Sequence, residues 1–151
     1  MANVLIKEIS LEVAWQLLTQ LPEFDNMPSV EAANARIANQ PALVLGCFTA
    51  PSDEAAPQLA GVKIGYALNA CTFYSWMGGV LTPYRSAGLA TRLLQHQERS
   101  LRQRGYTHLR VKSRNSHPAM VRLLLKYNYL IVGVEPRVKA QDNRIILEKV
   151  L

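Results

Sequence analysis

The fold of this chain depends on the stretch Trp76-Met77-Gly78-Gly79-Val80-Leu81-Thr82-Pro83-Tyr84-Arg85-Ser86-Ala87-Gly88-Leu89-Ala90-Thr91-Arg92-Leu93-Leu94. An apolar run ends in a basic turn, and the turn leads directly into an amphipathic helix. The first N–H groups of a helix lack intrahelical partners, so such a junction attracts an anion. Arg85 adds a positive charge, and Gly88 and Ala90 leave the main chain open to close approach. The stretch predicts a cradle for the phosphates of a bulky ligand.

The length and composition indicate one globular domain, residues 1–151. Of its residues 49% are hydrophobic and 19% charged, which excludes a disordered chain. No apolar run is long enough to span a bilayer, and the N-terminus lacks a signal-peptide pattern. Cys47 and Cys71 have no metal-ligand spacing and suggest no disulfide framework. We therefore expect a cytoplasmic protein without a metal.

The net charge of +6 suggests an anionic cofactor, nucleic acid or an acidic partner. The arginines that follow the cradle alternate with leucines at helical spacing, and the sequence has no run of consecutive basic residues. No nucleic-acid-binding motif accompanies the charge, so the sequence does not favour nucleic acid as a partner.

Hydrophobic periodicity and chain breakers predict the element order β α α β β β α β α β β. We expect strands at residues 4–9, 41–48, 59–66, 72–81, 108–113, 130–134 and 144–150. Strands separated by helices imply parallel pairing through right-handed crossovers, and the middle strands imply an antiparallel hairpin. The expected fold class is α/β, mixed and α+β-like. It is a three-layer αβα sandwich around a mixed sheet of six to seven strands.

The predicted strand 72–81 carries two further signals. Gly78 and Gly79 are consecutive, which suggests a bulge or a place where another group packs against bare backbone. Tyr74 and Trp76 alternate along the strand, so we expect them to share one face, with Ser75 on the other.

The element order and the cradle together resemble the GNAT superfamily of N-acetyltransferases. That family's acetyl-CoA motif, Arg/Gln-x-x-Gly-x-Gly/Ala at a strand-to-helix turn, is matched by residues 85–90. A valine usually stands two residues before a proline upstream; here Val80 is followed by Pro83, one place late. Downstream, residues 117–129 resemble a family helix of the form Asn-x-x-Met-x-Arg-Leu that ends in Gly-Phe. His117 replaces the Asn, and Asn128-Tyr129 replaces Gly-Phe.

The resemblance implies how acetyl-CoA would be held. Its pyrophosphate would be bound by backbone N–H groups of the turn, and the positive charge of Arg85 would lie beside them. These N–H groups belong to Ser86, Ala87, Gly88, Leu89, Ala90 and Thr91. The strand edge at Val80 and Leu81 would pair with the pantetheine amides, and the thioester carbonyl would lie near the Val80 N–H. Gly78 and Gly79 would supply a bulge that separates this strand from the next. Asn115 is expected to contact CoA or to cap the following helix.

The leaving group is where the sequence departs from the family. Many members place a tyrosine four residues before the Gly of Gly-Phe, and that slot holds Leu124 here. Tyr127 is three residues further on and would face elsewhere on the helix. A thiolate is a competent leaving group near neutral pH, so the loss does not exclude catalysis. It leaves the general acid unassigned.

The general base is also unassigned. The weak candidates are Tyr74 on the central strand, Glu31 near the loop between the first two helices, and His117 at a helix start. In the family that loop lines the acceptor site, so Glu23 and Asp25 are open to the same role. For each carboxylate a plain surface role is the alternative.

The sequence thus predicts an acetyl-CoA-dependent enzyme that acetylates a primary amine directly, in a ternary complex. The alternative is a catalytically weak or inactive module that binds or senses acyl-CoA, which the missing tyrosine favours slightly. The acceptor, a small molecule or a peptide or protein, cannot be identified from the sequence. A homodimer is an open expectation, because the family is often dimeric.

Overall fold

A computed structural model describes residues 3–151. Its strands are β1 Val4–Glu8, β2 Ala42–Thr49, β3 Gln58–Ala67, β4 Thr72–Val80, β5 His108–Arg114, β6 Leu130–Glu135 and β7 Arg144–Val150. Its α-helices are α1 Leu11–Leu18, α2 Val30–Ile37, α3 Leu89–Gln103 and α4 Pro118–Lys126. Short 3-10 turns occupy Thr82–Tyr84 and Ala140–Asp142. The element order predicted from the sequence is confirmed.

The seven strands of residues 3–151 form one mixed sheet in the order β1-β2-β3-β4-β5-β7-β6. Strands β4 and β5 are parallel, and the other neighbours are antiparallel. The parallel pair is short: Thr72–Ser75 pairs with His108–Val111, and the two strands then part. Residues 76–80 of β4 and 112–114 of β5 therefore border a gap in the sheet.

The helices cover both faces of the sheet, which confirms the three-layer arrangement. On the face that we call the α3/α4 face, Leu93 and Leu101 of α3 and Leu124 of α4 join a buried cluster with Phe73 and Leu109. On the opposite α1/α2 face, a second cluster joins both helices to β2 and β3: Leu11, Ala14, Trp15, Leu17, Leu18, Leu21, Ala33, Val44, Val62 and Ile64. The gap lies between these two cores.

Local signals place most helix ends. The hydroxyls of Ser10 and Ser29 accept hydrogen bonds from the N–H groups of the third helical residues and so cap α1 and α2, as serine before an apolar periodic run predicts. Gly105 and Asn128 have left-handed φ angles of 89° and 71° after α3 and α4. The apolar periodicity of residues 11–21 predicts a helix that reaches Leu21, but α1 ends at Leu18 because the chain tightens into i→i+3 hydrogen bonds from residue 20.

The cap predicted for α4 is wrong. The residue at the N-cap is His117, and its side chain makes no capping hydrogen bond. The Asn115 side chain instead donates to the Ala140 carbonyl, 2.9 Å away, and the Asn115 N–H donates to the Asn143 carbonyl. Asn115 therefore ties the start of α4 to the loop before β7.

The bulge predicted at the paired glycines lies elsewhere. Ile64 pairs with Met77 and Gly65 pairs with Ser75, so the extra residue on β4 is Trp76. Gly79 serves the other expected purpose: a Cβ there would overlap Leu21, so bare backbone lets the end of the α1 segment pack on β4.

Gly65 supplies a stability prediction. A Cβ at this position would lie 2.6 Å from the Tyr74 carbonyl oxygen and 2.7 Å from the Phe73 ring. Because the first obstacle is backbone and the second is buried, we expect Gly65→Ala to lower the free energy of unfolding by about 2–3 kcal/mol in urea titration. The matched control is Gly133→Ala, where the nearest atom would be 3.4 Å away and the loss should be under about 0.5 kcal/mol. Equal effects at both positions would contradict this account of packing.

Candidate active site

The gap between β4 and β5 opens into a cleft of about 1330 Å³. The free part of β4, the start of α3 and the start of α4 form its walls. Of the residues predicted to hold acetyl-CoA, most line this cleft: Val80, Arg85, Ser86, Gly88, Leu89, Ala90 and Thr91. Leu81, Ala87 and Asn115 do not line it, and the Leu81 N–H is already bonded to the Ala60 carbonyl at 2.8 Å.

The turn before α3 is open to an anion. Gly88, the N-cap, has a left-handed φ of 78°, and Ser86 has a φ of 68°. No side chain caps α3, so the N–H groups of its first turn point outward without a capping partner. No atom lies within 4 Å of the point where a Cβ of Gly88 would be. The turn therefore has both the donors and the space that a phosphate group needs.

The first turn of α3 differs from what helical spacing predicts. The spacing of Ala90 with Leu93, Leu94 and Leu101 predicts a buried alanine, but Leu89 is buried and Ala90 is exposed. Because its side chain is small, the exposed alanine leaves the main chain of the turn accessible from solvent, as a binding site for a large ligand requires.

Arg85 is held in place from two sides. Its Nε donates to the Val80 carbonyl at 2.9 Å, and its Nη2 donates to the Glu23 carboxylate at 2.6 Å. Glu23, one of the carboxylates considered as a base, is thus bound to the arginine of the cradle. These contacts join the loop after α1 to the turn before α3.

The slot at Leu124 contains no proton donor. Leu124 lines the cleft and is 1% exposed. Tyr127 does not line the cleft, as its helical position predicted. The Tyr129 hydroxyl donates to the Glu98 carboxylate at 2.7 Å, and burial and this bond raise the pKa of Tyr129. Neither tyrosine presents a hydroxyl to the cleft.

Lys63 is a residue of the cleft that sequence reasoning missed. It pairs with Gly78 across β3 and β4, and its Nζ lies 3.7 Å from the point where a Cβ of residue 78 would be. The glycine thus leaves room for the lysine side chain to cross β4 toward the gap. Within residues 3–151, Lys63 has neither a hydrogen bond nor an ion pair. Burial lowers the pKa of Lys63 to about 8, and Glu98 offsets part of that effect.

The three candidates for the base lie in different surroundings. Tyr74 is buried in the cleft, and burial raises the pKa of its hydroxyl, which keeps it a neutral donor. His117 is exposed and lines the cleft at the start of α4. Glu31 is exposed on α2 and does not line the cleft.

The α1/α2 side of the cleft is aromatic and charged. Tyr66 packs edge-on against Tyr74 and Trp76, with distances of 5.5 and 5.8 Å between the ring centroids. The two aromatic residues of β4 therefore share a face, as predicted. The Arg36 guanidinium lies 4.5 Å from the Trp76 ring centroid. The Lys112 ammonium bonds Glu135 at 3.3 Å. An acceptor on this face would meet aromatic rings flanked by cations.

Among residues 3–151, no group of three or more His, Cys, Asp or Glu side chains is arranged to hold a metal ion. No helix in the same part of the chain has the length and apolar character needed to cross a membrane.

Comparison with known proteins identifies similar sequences and folds. A model of the acetyltransferase (GNAT) family matches residues 12–129. The ribosomal-protein-S18-alanine N-acetyltransferase of Escherichia coli has a similar structure, with a TM-score of 0.78 and 18% identity over 97% of this chain and 92% of that chain. No protein with a curated description matches the sequence significantly.

Two further structures show the same fold at low sequence identity. A GNAT family acetyltransferase from Elizabethkingia anophelis, solved with acetyl-CoA bound, has a TM-score of 0.77 and 15% identity over 100% of both chains. Ard1 from Thermoplasma volcanium has a TM-score of 0.78 and 13% identity over 99% of both chains.

Proposed function

The chain belongs to the acetyltransferase (GNAT) family, whose model matches most of its length, and on this premise we propose that it acetylates the primary amine of an acceptor directly. Family membership makes it an acyltransferase that uses acetyl-CoA. The observation that supports the proposal is the gap between β4 and β5, which is open to both faces of the sheet beside an anion cradle. Such a gap lets a donor and an acceptor meet without a covalent enzyme intermediate.

The residues of the cleft fit a CoA thioester. The N–H groups of the turn and of the first turn of α3, from Ser86 to Thr91, would hold the pyrophosphate. The free edge of β4 up to Val80 would pair with the pantetheine amides as an added strand would. Acetyl-CoA supplies an activated acyl group, and the protein supplies its orientation and the movement of protons.

Acetyl transfer needs two proton movements. The amine nitrogen bonds to the thioester carbon and releases a proton to the water of the open cleft, while the carbon–sulfur bond breaks and the sulfur keeps the electron pair and gains a proton. Because Leu124 cannot donate, we assign the second proton to the Lys63 ammonium, which lies on the same side of the cleft. Its pKa of about 8 is close to that of a thiol, and matched pKa values favour proton transfer. Tyr74, with its raised pKa, would orient the acceptor by donating a hydrogen bond.

A thiol-release assay with acetyl-CoA and a panel of amines tests the proposal. We expect CoA release that depends on one class of amine and a matching mass increase of 42 Da in that amine, the mass of one acetyl group replacing a hydrogen. Calorimetry of CoA binding is run in parallel. Tight CoA binding without transfer to any amine, peptide or protein would favour the alternative, a module that binds or senses acyl-CoA.

Three expectations from the sequence remain predictions. A cytoplasmic location rests on cysteine usage; Cys47 is buried, Cys71 is exposed, and neither is in a disulfide. The expectation of a homodimer rests only on the frequent dimerisation of family members. The expectation that nucleic acid is not a partner rests on the missing motif, and salt-dependent binding to DNA or RNA would contradict it.

A further inference from the structure

Three arginines meet at the side of the cleft: Arg114, Arg137 and Arg144, which we call the arginine cluster. Arg114 ends β5 and pairs in register with Arg144, the first residue of β7. Arg137 follows β6 and lines the same pocket of about 500 Å³. All three side chains also line the main cleft, so the pocket opens into it.

The arginine cluster lies on the α1/α2 face of the sheet. Side chains along β5 alternate between faces, and Val111 belongs to the core of the α3/α4 face. Lys112 and Arg114 therefore point to the opposite face. The Lys112 ammonium, 5.7 Å from the centroid of the Tyr74 ring, lies on that side. The cluster is thus across the sheet from Leu124 and the core beneath α3.

The protein balances the positive charge of the cluster only in part. Four cationic side chains and one carboxylate line the pocket: Arg114, Arg137, Lys139, Arg144 and Asp142. Arg144 donates to the backbone carbonyl of Asp142, at 2.7 Å, and the carboxylate nearest to Arg137 is 3.9 Å away, on Glu135. Burial, followed by repulsion from Arg114 and Arg137, lowers the pKa of Arg144, and the carboxylates of Asp142 and Glu135 offset part of that effect. Like charges held together in this way are stabilised by an anion that binds between them.

We infer that the arginine cluster binds a carboxylate or phosphate group of the acceptor while the amine of the same molecule reaches the gap between β4 and β5. This inference rests on the proposed function. Guanidinium groups present paired N–H donors that match the oxygens of both anions. The acceptor is therefore a small amine that carries an anionic group, rather than a polyamine.

The position of the cluster also sets the length of the acceptor. Val111 is the last residue of β5 that pairs with β4, and Arg114 is three residues further along. At about 3.3 Å per residue, the cluster lies roughly 10 Å from the point where the gap opens. An ω-amino acid such as 8-aminooctanoate spans this distance, whereas β-alanine does not.

Matched acceptors test the inference. The acceptors are 8-aminooctanoate, 8-aminooctyl phosphate, the neutral 8-aminooctanamide, 1,8-diaminooctane and β-alanine. We expect kcat/KM to be about 10- to 100-fold higher for the long anionic acceptors than for the neutral amide, the size of one or two charge-assisted hydrogen bonds. The ratio between the carboxylate and the phosphate shows which anion the cluster prefers. β-Alanine should be no better than the neutral amide.

The double variant Arg114→Gln/Arg144→Gln should lose this preference, so that the ratio of its kcat/KM for 8-aminooctanoate to that for the neutral amide falls to about one. The control Arg99→Gln removes an exposed arginine from α3, away from the cleft, and should leave this ratio unchanged. The Kd for CoA should be the same in all three proteins. A Kd for CoA that rises only in the double variant would assign the cluster to the cofactor and overturn the inference, as would a wild-type preference for the diamine.

Calorimetric titration with 8-aminooctanoate separates this inference from the proposed function. Binding that the wild-type protein shows and the double variant loses supports the cluster even if no amine is acetylated, in which case the proposed function fails alone. Transfer to amines with no preference for anionic acceptors, or with a preference that survives in the double variant, leaves the proposed function standing and overturns the inference.

Discussion

Replacing Gly88 by glutamate is expected to abolish CoA binding. A carboxylate at this position would project into the open space before α3, because no atom lies within 4 Å of the Cβ point. It would place a negative charge where the phosphates are proposed to lie and would bring its own oxygens to the N–H groups of the helix start. We expect the Kd for CoA, measured by calorimetry, to rise by at least about 100-fold, which corresponds to the loss of two charge-assisted contacts.

Two controls separate charge from backbone strain at this position. The φ of 78° disfavours any residue with a Cβ, so Gly88→Ala measures the strain and Gly88→Asn uses a residue that tolerates the left-handed region. Both should weaken CoA binding by less than about tenfold. A folded Gly88→Glu protein with unchanged affinity would remove the cradle from the description of this site.

Lys63→Met is expected to have the second largest effect. Lys63→Met removes the ammonium that we assign as the donor to the leaving sulfur, so kcat should fall by about 100-fold, the lower part of the range for general acid catalysis. The Kd for CoA should change by less than about threefold, because the pyrophosphate cradle is untouched. Lys63→Arg keeps the positive charge but cannot release a proton near neutral pH, so its kcat should also be low. Wild-type kcat in both variants would exclude Lys63 as the donor.

The dependence on pH supplies an independent reading of Lys63. As an acid, it must be protonated, so its contribution to kcat should decline above about pH 8 in the wild-type enzyme only. In the unfolded chain the lysine keeps its proton up to about pH 10.5. Between these values the unfolded state binds more protons, so the free energy of unfolding should rise with pH. Urea titrations at a series of pH values should show that the free energy of unfolding rises more in the wild-type protein than in Lys63→Met. The same dependence on pH in both proteins would show that the amine is not buried.

The cradle could be predicted from the sequence because its determinants are local. A strand, a turn with Gly88 and an amphipathic helix are contiguous, and each is specified by residues within a few positions. The caps at Ser10 and Ser29 and the helix ends at Gly105 and Asn128 are predictable for the same reason. Local hydrogen bonding and backbone preference decide such features without knowledge of the tertiary fold.

Lys63 could not be assigned because its role depends on strand register. Only the pairing of Lys63 with Gly78 brings the lysine to the gap, and a bulge one pair away sets that register. The bulge itself was predicted at the wrong residues, because glycine is the usual local signal for one. Trp76 is accommodated instead by long-range packing: its ring lies 5.4 Å from Trp15, with Arg36 over it.

The arginine cluster could not be predicted from the sequence because it depends on the order of the strands in the sheet. Arg114, Arg137 and Arg144 are separated in the sequence, and β7 inserts between β5 and β6 to bring them together. Periodicity predicts the three strands but does not specify which of them are neighbours.

The short pairing of β4 with β5 divides the sheet into two half-sheets, β1–β4 and β5-β7-β6, that share four rungs of hydrogen bonds at one end. Strands that diverge after a few rungs can change their angle more easily than strands paired along their length. A ligand that binds in the gap and contacts both half-sheets would fix the angle between them. It would also add RT ln(1 + [L]/Kd) to the free energy of unfolding of the whole domain. The concentration of such a ligand would thereby set the rigidity of the domain as well as the occupancy of the cleft.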